Sequence, residues 1–114
     1  MHWQELTLLS LLSYLLHKHH LLSWYKPRPK FSHKGDFGHS LIAGGAFGKI
    51  GAVVLSTKAA LRIGSGLVSA HVPKCGVGIL QTAVPEAMVS SGDAEEELDL
   101  LPIAEEYTYG IGMG

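Results

Sequence analysis

Cysteine is almost absent from this sequence, since Cys75 is the only one in 114 residues. A single thiol cannot close an internal disulfide, and it leaves no cysteine-based metal pattern. This sparing use of cysteine suits a reducing compartment, and we expect a cytoplasmic protein. An excess of charge of one sign is also absent, because the formal net charge is −1. Binding to nucleic acid needs concentrated positive charge, so we expect no nucleic-acid partner.

The sequence also lacks a long hydrophobic run. The longest, LTLLSLLSYLL at residues 6–16, has 11 residues, whereas a bilayer-spanning helix needs about 20. We therefore expect no membrane span. Glu5 precedes the run and HKHH follows it, which is not the pattern of a secretory signal. Two interpretations remain open: an amphipathic helix that associates with a partner, and a targeting or membrane-surface segment.

The composition, with 46% hydrophobic and 17% charged residues, is typical of a globular chain. Residues 1–25 contain no glycine or proline, which predicts a helix. A basic linker follows at 26–35, where Pro27 and Pro29 favour extended backbone. Residues 36–114 are then left to form the domain.

Strand and helix patterns alternate through this domain. The sequence predicts strands at 40–45, 66–73, 86–90 and 107–114, helices at 51–63 and 74–82, and an acidic, partly helical connection at 91–106. Such alternation is typical of α/β proteins with a parallel sheet whose faces are covered by helices. The predicted class is therefore α/β.

Two glycine-rich turns, at 44–51 and 110–114, are expected at the carboxyl ends of strands, where open parallel sheets bind ligands. The first contains Gly45, Gly48 and Gly51, a spacing that fits neither the P-loop nor the dinucleotide fingerprint. Small residues at the start of the next helix leave its free amides open to an anion. Two explanations of this turn remain open: contact with a ligand, and a tight corner that the fold requires.

Several motifs in order carry a family resemblance: HKGDFGH, GKIGA, ALRIGSGLV, VPEAMV and GIGMG. Over about residues 28–114 the sequence resembles the ADP/ATP-dependent NAD(P)H-hydrate dehydratase family. The resemblance implies a ribokinase-like fold, with ATP or ADP and Mg²⁺ as cofactors and hydrated NADH or NADPH as substrate. By position it implies substrate contacts at Ala52, beside the first glycine turn, and at Gly114, in the second. Gly45, Gly48 and Gly51 would shape the first turn, with support from Lys49.

The family's domain is longer than this chain, and its later half carries a GTGD motif with the catalytic aspartate. The sequence contains no such motif, so we assign no catalytic residue and expect an N-terminal piece of the domain that is inactive alone. The alternative is a non-catalytic module for dinucleotide binding or assembly. The Leu-rich segment and an uncovered sheet edge favour association, and we expect a homo-oligomer.

Overall fold

The computed structural model describes residues 18–99, 101–102 and 104–114. Residues before His33 belong to one unit and residues 33–114 to another. The first unit contains helix α1, Lys18–Trp24. Residues 1–17 of the predicted N-terminal helix, which include the Leu-rich run, lie outside the described residues, and Tyr25 lies beyond the end of the helix. Within the described ranges, no helix has the length and apolar character that a bilayer crossing requires.

The second unit is built on four parallel strands, and all four predicted strands are confirmed. They are β1 His39–Gly44, β2 Leu67–His71, β3 Met88–Ser90 and β4 Tyr107–Met113. Two helices, α2 Gly51–Ile63 and α3 Lys74–Ala83, and a short 3-10 helix, Lys34–Phe37, complete the unit. The strand order is β3-β2-β1-β4, and each neighbouring pair is parallel.

The main core lies between the sheet and its helices. Ile42 on β1 and Val68 and Ala70 on β2 alternate with residues of the opposite face, as strand geometry requires. They belong to one buried cluster with Val53 of α2 and Leu80 of α3. The apolar stripes of both helices therefore cover one face of the sheet.

Helix α2 has the bounds that its sequence predicts. Gly64 follows it with φ of 110°, and its amide donates to the Leu61 carbonyl, while the Ser65 amide donates to Ala60. This is the Schellman arrangement, which needs a left-handed residue and so favours glycine. Gly64 thus ends the helix and returns the chain to β2.

The strand order contains one reversal. From β1 the chain adds β2 and then β3 on one side, whereas β4 lies on the other side of β1. The connection that leaves the carboxyl end of β1 runs toward β2, away from β4, so no crossover from β1 passes over the carboxyl end of β4. In open α/β sheets, such a switch point is where ligands bind.

The second predicted glycine turn is wrong, because residues 110–113 complete strand β4. Ala43 pairs with Ile111 and Gly44 pairs with Met113, so Gly112 is an extra residue in the ladder. Its φ of 105° is one that glycine adopts without strain. The glycines therefore form a bulge at the end of the strand instead of a turn.

The acidic connection at 91–106 also differs from its prediction, which was a partly helical segment. Its described residues, 91–99, 101–102 and 104–106, contain no helix. The carbonyl groups of Ala94, Glu95 and Glu96 accept hydrogen bonds from other segments.

Candidate functional site at the β1–β4 switch point

The turn after β1 is set by two glycines with positive φ. Gly45, at φ 92°, carries the chain out of the strand, and Gly48, at φ 80°, is the third residue of a β-turn. That turn is closed by the Lys49 amide, which donates to the Ala46 carbonyl at 2.8 Å. A positive φ at this position is the type II pattern, which favours glycine. Gly44 lies within β1, so the turn is shorter than predicted.

We expect Gly45→Ala to lower the free energy of unfolding more than Gly48→Ala. Both substitutions place a Cβ on left-handed backbone, at a cost of about 1–2 kcal/mol. A Cβ at 45 would also lie 3.0 Å from Ile50 Cδ1, whereas one at 48 would meet nothing within 4 Å. Urea denaturation of the two variants measures the difference, and equal losses would contradict the packing role assigned to Gly45.

The end of β4 lies directly against this turn. A Cβ at Gly114 would lie 2.8 Å from the Lys49 carbonyl oxygen and 3.6 Å from Gly45 Cα. Gly114 also has a positive φ of 98°. The structure therefore brings Gly45, Lys49 and Gly114 together, at the switch point between β1 and β4.

Helix α2 begins immediately beyond the turn, and its N-terminus is open. Ile50 precedes it without a side-chain cap, and the first turn contains no acidic residue. Gly51 and Ala52 are exposed, and a Cβ at 51 would meet nothing within 4 Å. Among the described residues, neither of these two amides donates to a main-chain carbonyl. Unpaired amides and the helix dipole together favour an anion at this position.

Helix α3 begins at the same edge of the sheet, but its first amides are occupied. The Lys74 amide donates to the Ala94 carbonyl at 3.1 Å, and the Cys75 amide donates to Glu95 at 3.0 Å. The next carbonyl, that of Glu96, accepts from the Phe47 amide of the glycine turn at 2.8 Å. The acidic connection thus closes one helix N-terminus and leaves that of α2 open.

Sequence reasoning missed these three carbonyls because the contacts involve main-chain atoms. No side-chain pattern signals them, and a run of Glu is compatible with a helix. Ala52 is the second residue of α2, as predicted. The atoms nearest to a side chain at 114 nevertheless belong to Lys49 and Gly45, not to Ala52.

Two further polar residues have structural partners. The Asp36 carboxylate accepts from the His33 amide at 3.0 Å and lies 3.2 Å from His33 Nε2, so it closes the 3-10 helix that leads into β1. His71 is buried at the end of β2, with Nδ1 2.9 Å from the Ser90 hydroxyl. Its Nε2 has no hydrogen-bond partner among the described residues.

The described residues form no metal site from protein side chains alone. Magnesium requires oxygen ligands in octahedral geometry, often including carboxylates. Within the ranges 18–99, 101–102 and 104–114, no three His, Cys, Asp or Glu side chains are grouped as metal ligands. None of these residues is assigned to Mg²⁺ or to a nucleotide.

This parallel strand order defines an open-sheet α/β protein, a class in which ligands bind at the switch point. The family model described as NAD(P)H-hydrate dehydratase matches residues 40–114. The chain belongs to the NAD(P)H-hydrate dehydratase family. The match includes β1, the glycine turn and the end of β4.

Two curated relatives show how much of the family's length is present. The chain is 39% identical over 94 residues to the bifunctional NAD(P)H-hydrate repair enzyme Nnr of Escherichia coli, covering 82% of this chain and 18% of that protein. It is 33% identical over 90 residues to the ADP-dependent (S)-NAD(P)H-hydrate dehydratase of Streptococcus thermophilus, covering 78% of this chain and 32% of that protein. The chain therefore spans a third or less of these relatives.

Solved structures agree on the fold. The ADP/ATP-dependent NAD(P)H-hydrate dehydratase of Bacillus subtilis, co-crystallized with ATP and Mg²⁺, is similar with a TM-score of 0.61 and 25% identity, covering 66% of this chain and 27% of that one. A ribokinase-like superfamily protein of Enterococcus faecalis is similar with a TM-score of 0.55 and 35% identity, covering 58% and 23%. The predicted ribokinase-like α/β fold is confirmed.

Proposed function

We propose that this chain supplies one wall of a pocket for hydrated NADH or NADPH and acts in the ATP- or ADP-dependent restoration of the reduced cofactor. One observation carries the proposal: the glycine turn and the end of β4 meet at the switch point, beside the open N-terminus of α2. The family match across the same residues supports it.

The residues at this site suit a dinucleotide because their side chains are small or absent. Gly51, Ala52 and Gly114 carry at most a methyl group, so a large ligand can approach the main chain closely. A dinucleotide contains a pyrophosphate, and the open amides of α2 would donate to its oxygens. Lys49 is exposed and has no ion-pair partner among the described residues, so its ammonium is available to the same anion.

The overall reaction divides into two steps in this proposal. Hydroxide is a poor leaving group, so the hydroxyl of the hydrate first takes a phosphoryl group from ATP or ADP. Phosphate then leaves with its electron pair, the adjacent carbon loses a proton, and the double bond of the reduced nicotinamide is restored. The described residues would bind and orient the substrate, and we assign none of them as the catalytic base.

A second candidate is a non-catalytic module that binds the dinucleotide. It is compatible with the assignment above, in which no described residue acts as the catalytic base. The chain also spans only 18% and 32% of the two bacterial relatives. Such a module would retain the glycine turn and the end of β4 for binding, without phosphoryl transfer.

One experiment distinguishes the two candidates. The 114-residue chain is isotopically labelled and titrated with NADH hydrate, with the amide signals of Gly51 and Ala52 followed by NMR. The same samples then receive ATP or ADP with Mg²⁺, and NADH absorbance is recorded. Binding with turnover supports the enzyme, and binding without turnover supports the module. Unchanged amide signals at saturating NADH hydrate would overturn both.

A further inference from the structure

The segment from Gly92 to Asp99, here called loop 92–99, is held by a carboxylate at its own end. Oδ2 of Asp99 accepts hydrogen bonds from the Asp93 amide at 2.9 Å and the Ala94 amide at 3.3 Å. Hydrogen bonds from amides to a charged acceptor are stronger than neutral ones. One side chain therefore closes the loop on itself.

Gly92 fits this closure. A Cβ at position 92 would overlap the Asp99 carboxylate, so any larger residue would displace that side chain. The φ of Gly92 is not in the left-handed region. Space for the carboxylate, and not backbone conformation, is thus the reason for glycine at this position.

Loop residues at and next to this closure contact α3 and the glycine turn. Ala94 and Glu95 accept from the first amides of α3, and Glu96 accepts from the Phe47 amide in the glycine turn. These three carbonyls are consecutive, so they reach their partners together only if the backbone between the Asp99-bound amides and Glu96 keeps one shape. Asp99 itself is exposed and contributes little burial.

We propose that Asp99 is a positioning residue for the dinucleotide-binding turn. Its carboxylate fixes loop 92–99, and the loop fixes the turn through the Glu96 carbonyl and the Phe47 amide. The expected effect on dinucleotide affinity rests on the proposed function. The coupling from Asp99 to Phe47 does not depend on any ligand.

The test measures amide hydrogen exchange and NADH-hydrate affinity on the full 114-residue chain. Asp99→Ala should speed exchange of the Phe47 and Cys75 amides about tenfold, as loss of charge-assisted hydrogen bonds implies. Its affinity for NADH hydrate should fall several-fold, since the turn loses its fixed shape. Asp99→Asn retains an acceptor oxygen and should recover part of both effects.

Glu97→Ala is the matched control, because it removes one exposed carboxylate from the same loop and should change neither readout. Gly92→Ala should reproduce Asp99→Ala without any change of charge. If Asp99→Ala does not fold, Asp99→Asn and Gly92→Ala decide the result.

If the Phe47 amide exchanges at the wild-type rate in Asp99→Ala and Gly92→Ala, the proposal is overturned. Faster exchange with unchanged NADH-hydrate affinity would also overturn it, leaving Asp99 a purely structural role. Failure of the wild type to bind NADH hydrate would instead contradict the proposed function. The exchange rates would still decide whether Asp99 controls the conformation of the turn.

Discussion

Ala52→Asp is expected to lower the affinity for NADH hydrate at least about tenfold, or 1.4 kcal/mol, while leaving the fold intact. Position 52 is exposed in the first turn of α2, where the proposed site would hold an anionic pyrophosphate. A carboxylate there would repel that anion and would compete for the open amides. Isothermal titration calorimetry measures the loss.

The free energy of unfolding of Ala52→Asp should rise, although its affinity for NADH hydrate falls. A negative side chain in the first turn interacts favourably with the helix dipole, by about 0.3–1 kcal/mol at an exposed position. The matched control is Ala59→Asp, which makes the same change at an exposed position two turns further along α2. It should retain the wild-type affinity. Equal affinities for wild type and Ala52→Asp would remove the α2 N-terminus from the site.

Gly66→Ala is expected to lower the free energy of unfolding by about 3 kcal/mol, at the upper end of overpacking costs. A Cβ at position 66 would overlap the carbonyl oxygen of Lys34, which is main chain and cannot rotate away. The Gly66 amide also donates to the Phe37 carbonyl at 3.3 Å, and that of Leu67 to Gly38 at 3.0 Å. The substitution should therefore separate the 3-10 helix from the start of β2.

The control for this prediction is Gly78→Ala, inside α3. A Cβ there would meet nothing within 4 Å, so the substitution should raise stability by about 0.5–1 kcal/mol through helix propensity. Thermal and urea denaturation of both variants give the comparison. A Gly66→Ala protein as stable as the wild type would show that the 3-10 helix does not depend on this contact.

Local sequence signals were sufficient for most of the elements. The small and apolar residues of α2 and the glycine after it predict both ends of the helix, and the structure has the same bounds, Gly51–Ile63. The third strand is shorter than its pattern, because Ala87 donates back to Val84 in a turn that contains Pro85. Alternation of strands and helices was enough to predict that the sheet is parallel.

The relations between distant segments were not predictable in the same way. The strand order and the extra residue at Gly112 depend on how β4 pairs with β1, which no local pattern records. The roles of Ala94, Glu95 and Glu96 depend on carbonyl groups that every residue type carries. The acidic side chains of Glu95 and Glu96 suggested a partly helical connection and gave no sign of the hydrogen bonds that the main chain makes.

The bulge at Gly112 has a further consequence for the outer side of β4. Among the described strands, β4 pairs only with β1, so it is an edge strand, to which a further strand can add. A local kink at the very end of an edge strand turns its last residues away from a straight ladder. An added strand would thus extend the sheet along Tyr107–Ile111 and leave Gly114 outside the new ladder.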